Sequence, residues 1–339
     1  INAVTKSGSN EFKFSGFAET STPDMAGDVE QIDIVTETYI NSWGDEKVRN
    51  VLDDDDHKTF ETSSVKPIKT QERFGFNVGG PIIEDELFFF VNYANWSSES
   101  DFSYGLKDSG ADNEFNITQG EFAEFNRILN DVYGRTDSIG GAPENTNETL
   151  LAKISWNIND YHRLDFTYQW QDDQAERGSP SGGNTLNLLS NRYNFATKVN
   201  NFATKIYSDR NENFSTEIGI SYKDVVANSI TNSDIGQVTV HTTGSRDPSF
   251  VFGQDSNRHA NVAENTNLTL SLSGTYLLED HEINFGIQYE DLNLYNLYGE
   301  NSLGSWEFDT LSDFETGNLG RYNFSYQNAY SGDVNDLAY

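Results

Sequence analysis

Five histidines, His57, His162, His241, His259 and His281, are the side chains whose ordinary pKa lies nearest neutrality, and they are scattered along 339 residues. His162 and His281 fall in the short connections "DYH" and "EDHE" between apolar segments. Turn polarity, rather than metal ligation, accounts for them there. Cysteine is absent, which removes thiol nucleophiles, disulfides and Cys-based metal sites. There is no HExxH, P-loop, GxSxG or dinucleotide fingerprint. Adjacent acids such as Asp172 and Asp173 carry little information in a chain with 54 Asp+Glu. The expectation is a protein that is not an enzyme and holds no cofactor. One dense cluster stands out, Asp53, Asp54, Asp55 and Asp56 in "VLDDDDHKTF". Oxygen ligands suit Ca²⁺, but the spaced ligands and central glycine of an EF-hand loop are missing. Residues 20–71 hold twelve acidic and five basic side chains. Two readings follow: a hydrated charge run, or diffuse association of Ca²⁺ or Mg²⁺ with Asp53–Asp56 as metal ligands.

The elements that carry these residues are set by an unusual composition. Mean hydropathy is −0.64, formal net charge is −32 and hydrophobic residues are only 35%, yet aromatics reach 13%. Disordered acidic chains lack aromatics. The excess of acids over 22 Lys+Arg makes nucleic acid an unsuitable partner. No apolar run approaches the ~18–20 residues of a membrane helix. That leaves open a β-barrel, whose strands are apolar at alternate positions only. The chain starts at Ile1 without an initiator Met or signal peptide and reads as a fragment of a longer precursor.

Strict alternation dominates. In "LDFTYQWQ", Leu164, Phe166, Tyr168 and Trp170 alternate with Asp165, Thr167, Gln169 and Gln171. Leu268, Leu270 and Leu272 alternate with Thr269 and Ser271, and Ile283, Phe285 and Ile287 with Asn284 and Gln288. A period of two means strands with two chemically distinct faces. The pattern predicts nine strands, near 10–19, 72–83, 87–97, 149–159, 163–173, 191–207, 215–227, 266–278 and 283–298. Their connections alternate short and long, so a meander places tight turns at one end and large loops at the other. Outer-membrane barrels have this asymmetry, with short periplasmic turns and long extracellular loops. On this reading Phe88, Phe89, Phe90 and Tyr93, just past a tight turn, form part of an aromatic girdle at the membrane boundary. The competing reading is a hairpin buried on both faces in a soluble sandwich.

Two further segments are distinctive. "NFATK" occurs at Asn194–Lys198 and at Asn201–Lys205, an odd offset that turns the copies to opposite faces. Either a bulge near Asn200–Asn201 restores the phase, or the strand runs beyond the membrane. "TQGEFAEFNRILNDVYG" predicts a short helix, with a Thr118/Glu121 capping box, a shared face of Phe122, Phe125, Leu129 and Val132, and a stop at Gly134. Packing on its own loop is the preferred role for it, ahead of ligand contact.

"INAVTKSGSNEFKFSGFAE" resembles the plug-to-barrel junction of TonB-dependent outer-membrane receptors. "RFGFNVGGPIIEDELFFFVNYA" and the segment from "FGQDSNRHANVAENTN" to "IQYEDLNLYNL" are similar to the Oar-like branch of that family. The resemblance implies a ~22-stranded barrel closed around a plug, of which this chain supplies about nine strands. It implies residues 1–9 as the end of the plug and the junction (Val4, Thr5, Lys6, Ser7 and Gly8), and residues 10–339 as the N-terminal part of the barrel. It also implies uptake of an unidentified extracellular ligand across a Gram-negative outer membrane, lipid and lipopolysaccharide as surroundings, and the TonB complex as a partner through a region this chain lacks. A passive porin-like barrel and an extracellular β-rich adhesin are the alternatives. The porin needs no plug strand before strand one, and the adhesin would be soluble without detergent.

Overall fold

The computed structural model describes residues 5–25, 27, 29–34, 36–40, 42, 46–52, 58–65, 69–99, 104–111, 113–178, 183–244 and 248–326. Nine strands form one sheet: β1 (Lys13–Ser21), β2 (Gln71–Ile83), β3 (Leu87–Glu99), β4 (Glu144–Asn159), β5 (His162–Arg177), β6 (Tyr193–Asn211), β7 (Phe214–Thr231), β8 (Asn261–Leu278) and β9 (His281–Tyr298). Their order in the sheet is their order in the chain. Every neighbouring pair with a defined register, from β3 onward, is antiparallel. This is an up-and-down wall, a partial transmembrane barrel with β1 and β9 at its open edges. Four tight turns, at Glu84–Glu86, Asp160–Tyr161, Glu212–Asn213 and Glu279–Asp280, lie at one end. Asp85 adopts φ 62° in the first of them, a left-handed conformation that Asp tolerates better than most residues.

Register turns the alternation of single strands into two surfaces. One ladder row reads Trp156–Leu164–Ile206–Ile218–Leu272–Ile287 across six strands. The next residue along each strand gives Ser155–Asp165–Lys205–Gly219–Ser271–Gln288 on the opposite face. The first face is apolar along β7 from Phe214 to Tyr222 and along β8 from Leu268 to Tyr276, apart from the paired Thr216 and Gly274. That is the roughly 9–11 tilted residues a hydrocarbon layer requires. It then turns polar in the row Asn200–Asp224–Thr266–Asn293. Aromatic rings mark both margins. Phe214 lies 6.4 Å from Tyr276 and 6.2 Å from Phe285, while Tyr168 stacks on Phe202 at 4.8 Å and donates its hydroxyl to Asn200 Oδ1 at 2.9 Å. Tyrosine suits such a margin, with an apolar ring and a polar tip.

β6 resolves the "NFATK" duplication. Its pairing with β5 runs without a shift from Tyr193 to Ser208, so no bulge lies at Asn200–Asn201. The strand instead continues past the apolar surface, and Phe195 and Phe202 occupy opposite faces at different heights.

Segments beyond the sheet build a cap at the loop end, inside the larger of two units (residues 1–18 and 73–339). Its sheet has the order Thr185–Asn187, Ser249–Phe252, Gln237–His241, Ser305–Phe308, Arg321–Asn323. Helix α1 (Gln119–Tyr133) and helix α2 (Leu311–Thr316) pack against it. The capping box of α1 is present: Thr118 Oγ1 accepts from the Glu121 N–H at 3.2 Å, and Glu121 Oε2 accepts from the Thr118 N–H at 2.7 Å. Gly134 ends the helix at φ 64°. The buried face is the expected one at Phe122, Phe125 and Leu129 but not at Val132. It centres on Phe125, Ile128 and Leu129, whereas Val132 is exposed. Nor does the helix pack only on its own loop: Phe125 stacks on Phe250 at 4.3 Å and faces Phe314 at 5.9 Å. Burial holds His259 below the usual histidine range. Its neutral ring accepts from the Leu303 N–H at 3.1 Å and donates to Gln254 O at 3.1 Å. The second unit, residues 19–72, holds two antiparallel strand pairs, Val29–Ile34 with Phe60–Val65 and Thr36–Ile40 with Glu46–Asn50.

Two measurements check this architecture. Leu270→Arg puts a charge on the apolar face and should destabilise the bilayer-embedded protein by roughly 2–4 kcal/mol if it lies near the midplane. Denaturant unfolding from lipid vesicles reads this, and an unchanged midpoint contradicts the facing. Thr118→Ala should cost about 1 kcal/mol through the lost cap, seen as faster amide exchange in the first turn of α1.

Candidate functional site

The segment leading into β1 lies against the polar face of the sheet, and each residue of its Ser-Gly-x-Asn-x-Phe sequence has a contact that explains it. Ser7 Oγ meets Ser155 Oγ at 3.3 Å. Gly8 passes so close to the hairpin of β2 and β3 that a Cβ there would overlap Phe89 O, and would lie 2.9 Å from Gly80 O and 3.0 Å from Phe88 Cβ. Only a residue without a Cβ fits this approach. Asn10 caps the first tight turn: its amide donates to Asp85 Oδ1 at 2.5 Å and its carbonyl accepts from the Asp85 N–H at 2.8 Å. Phe12 crosses to the apolar face, 6.1 Å from the Phe89 ring and over Gly80. Thr5 lines the same space as Ser7 and Gly8, while Lys6 is exposed. Val4 lies outside the described residues.

Between this segment and the wall is a cleft of about 500 Å³. Its wall side is the polar phase of β4, β5 and β6, and it is richer in cations than so acidic a chain suggests: Lys153, Arg163 and Lys205 all face it, with Asp165 among them. Lys153 Nζ and Asp165 Oδ2 pair at 3.1 Å with both side chains nearly buried. Arg163 Nε stands 4.0 Å from Asp165 Oδ1, and its guanidinium covers the Tyr207 ring at 4.2 Å. Lys205 Nζ reaches Glu217 Oε1 at 2.5 Å, and Asn201 donates to Gln169 at 2.9 Å. Asp165 Oδ1 is buried without a hydrogen-bond partner. The cleft offers cations, hydroxyls and amides that can hold or slide past a polypeptide segment.

The four aromatic residues assigned to a girdle divide between the faces, because consecutive strand residues point oppositely. Phe89 and Tyr93 share the apolar face with Phe12, Phe14, Phe74 and Phe76; Tyr93 lies 6.1 Å from Phe74 and 5.8 Å from Phe76. Phe88 lines the cleft, and Phe90 approaches Gly79 beside Gly8 on that same polar face. Asp53, Asp54, Asp55, Asp56 and His57 lie outside the described residues. Among the described residues no group of three or more His, Asp or Glu is placed to hold a metal. His241 pairs with Glu307 at 3.0 Å within the cap. Sequence reading missed Lys153, Arg163 and Lys205. Each sits in the polar phase of an alternating strand, and only the pairing of β4, β5 and β6 brings them together.

The pair Lys153–Asp165 supplies a test. Asp165→Leu alone leaves a nearly buried ammonium unpaired and should destabilise by about 3–5 kcal/mol. Lys153→Met combined with Asp165→Leu should recover most of that loss. Additive losses in unfolding midpoints contradict the pairing.

No family model matches the chain. Among solved structures it resembles the outer membrane transporter YddB from Escherichia coli, at 12% identity and a TM-score of 0.47 over 72% of this chain and 29% of that one. Among curated proteins it is similar to the TonB-dependent transporter Oar of Myxococcus xanthus, 27% identical over 195 residues. That match covers 56% of this chain but spans only 15% of the relative's length.

Proposed function

We propose that this chain supplies wall, junction and outer cap to a TonB-dependent transporter in a Gram-negative outer membrane. The apolar face meets lipid, with lipopolysaccharide around the loop end. The cleft seats the last segment of a plug, and the cap and loops meet an extracellular nutrient. Energy comes from the TonB complex acting on a region upstream of this chain, and no covalent chemistry is involved. The observation that carries this reading is the leading segment itself. A segment that precedes β1 and lies on the polar face, fitted there by Gly8 and tied by Asn10 to a tight turn, has no role in a passive pore. The similarity to a TonB-dependent transporter over 56% of the chain supports the same reading.

Planar-bilayer conductance of the full-length protein tests the proposal. A plugged transporter gives no steady current, and a current appears when the residues preceding Gly8 are deleted. A steady current from the intact protein supports a passive porin, and failure to insert supports an adhesin. Gly8→Ala should loosen the junction without unfolding the wall. Trypsin should then cleave after Lys6 at least ~10-fold faster, the factor that about 1.4 kcal/mol represents. An unchanged cleavage rate contradicts the close approach at Gly8.

A further inference from the structure

The cap is built from four separate connections. Two of its ladders lie within one connection each, Gln237–His241 with Ser249–Phe252 and Ser305–Phe308 with Arg321–Asn323, and two others tie different connections together. Thr185–Asn187 pairs in parallel with Ser249–Phe252, and Gln237–His241 pairs in parallel with Ser305–Phe308. A parallel pair cannot come from a tight hairpin, so each of these ladders joins segments that are distant in the chain. The core under the sheet is equally shared. Phe125 comes from the first connection, Leu186 and Leu188 from the second, Phe250 and Phe252 from the third, and Phe308 and Phe314 from the fourth. Phe314 faces Phe125 at 5.9 Å, Phe252 at 5.9 Å and Phe308 at 5.2 Å. Polar ties repeat the pattern at the surface: Arg127 to Glu315 at 2.5 Å, Arg135 to Asp234 at 2.8 Å, and the Tyr133 hydroxyl to Phe314 O at 2.6 Å. Arg192, almost wholly buried, donates to Gly141 O and Ile139 O at 2.7 Å and pairs with Glu176 of β5 at 3.0 Å.

Loops that each close over a ligand need contacts of their own, so that one opens while the others stay shut. The third and fourth connections carry ladders of their own, but the buried apolar side chains of all four belong to one shared cluster. We infer that the four connections fold, hold and yield as one body, a preformed cap, so that disturbing one of them at the shared core releases the other three. A ligand then meets a fixed surface, and any opening moves the cap as a unit. Regions that open together exchange their amides together, because one opening event exposes all of them.

Hydrogen exchange on the full-length protein in lipid nanodiscs tests this, comparing wild type with Phe314→Ala. In wild type, the slow amides of α1, Leu186–Leu188, Val238–Val240 and Phe250–Phe252 should share one exchange rate. In Phe314→Ala all of them should exchange faster together, by roughly 100-fold or more as the loss of a buried phenylalanine requires. The stretch Leu164–Trp170 of β5 should keep its protection and so serves as the control for a folded wall. Phe125→Ala, on a different connection, should reproduce the pattern, and Phe314→Leu replaces Phe314→Ala if that variant fails to insert. Acceleration confined to residues 299–323, or four distinct rates in wild type, would overturn the inference.

Discussion

A peptide N–H or C=O left without a partner in hydrocarbon costs several kcal/mol, and everything else in this chain depends on meeting that demand. The wall meets it by pairing successive strands in chain order, from β1 to β9. Once pairing is obligatory, a strand has only its two faces left with which to express chemistry. That is why so polar a chain can cross lipid. Its apolar residues are few, but along β7 and β8 they occupy every second position except the paired Thr216 and Gly274 for the thickness of a bilayer, and are then replaced by Asn200, Asp224, Thr266 and Asn293.

The same constraint separates two kinds of stability in one chain. Side chains on the apolar face gain little from touching each other, since lipid is as apolar as they are. Leu270, Leu272 and Ile287 remain exposed to their surroundings although the fold is complete around β8. Burial from water happens elsewhere. Apart from Ala196, the buried hydrophobic residues among those described lie in or around the cap, with Phe115, Phe125, Phe250 and Phe314 essentially inaccessible. The cap is therefore organised as a small water-soluble domain, with helix caps and a shared apolar centre, mounted on a wall governed by another solvent.

This division also explains what was legible in the sequence. The nine strands could be read because period two in a two-faced strand leaves a mark at every residue, and their boundaries were found to within a few positions. The capping box at Thr118 was equally legible, being a local bond between residues three apart. The cap was not. Strands as short as Thr185–Asn187 leave no periodic trace, and Leu186 is buried because of Phe250, which only the fold brings near. The cations of the cleft were hidden for the same reason. Lys153, Arg163 and Lys205 are single polar positions on three strands, and their convergence on Asp165 is a property of register. Of the expected face of α1 only Val132 stays exposed, because the partner of α1 is a set of other loops whose position the sequence of α1 does not contain.

The junction sequence shows how a short motif can encode position rather than chemistry. Ser7, Gly8, Asn10 and Phe12 touch four different things: a hydroxyl on β4, two backbone carbonyls, a tight turn and a ring on the far face. None of these contacts is strong. A hydroxyl pair or an amide bond nets about 0.5–1.5 kcal/mol, and all lie where water competes. Their value lies in being simultaneous, because satisfying all four fixes the height, direction and face of the chain as it changes from a segment inside the wall to a strand of it. The contacts that cost most to lose, the buried Lys153–Asp165 pair and the ladder itself, belong to the wall alone. The leading segment is thus located by its geometry but held by weak polar bonds, whereas the wall it lies against is held by its ladder and a nearly buried ion pair.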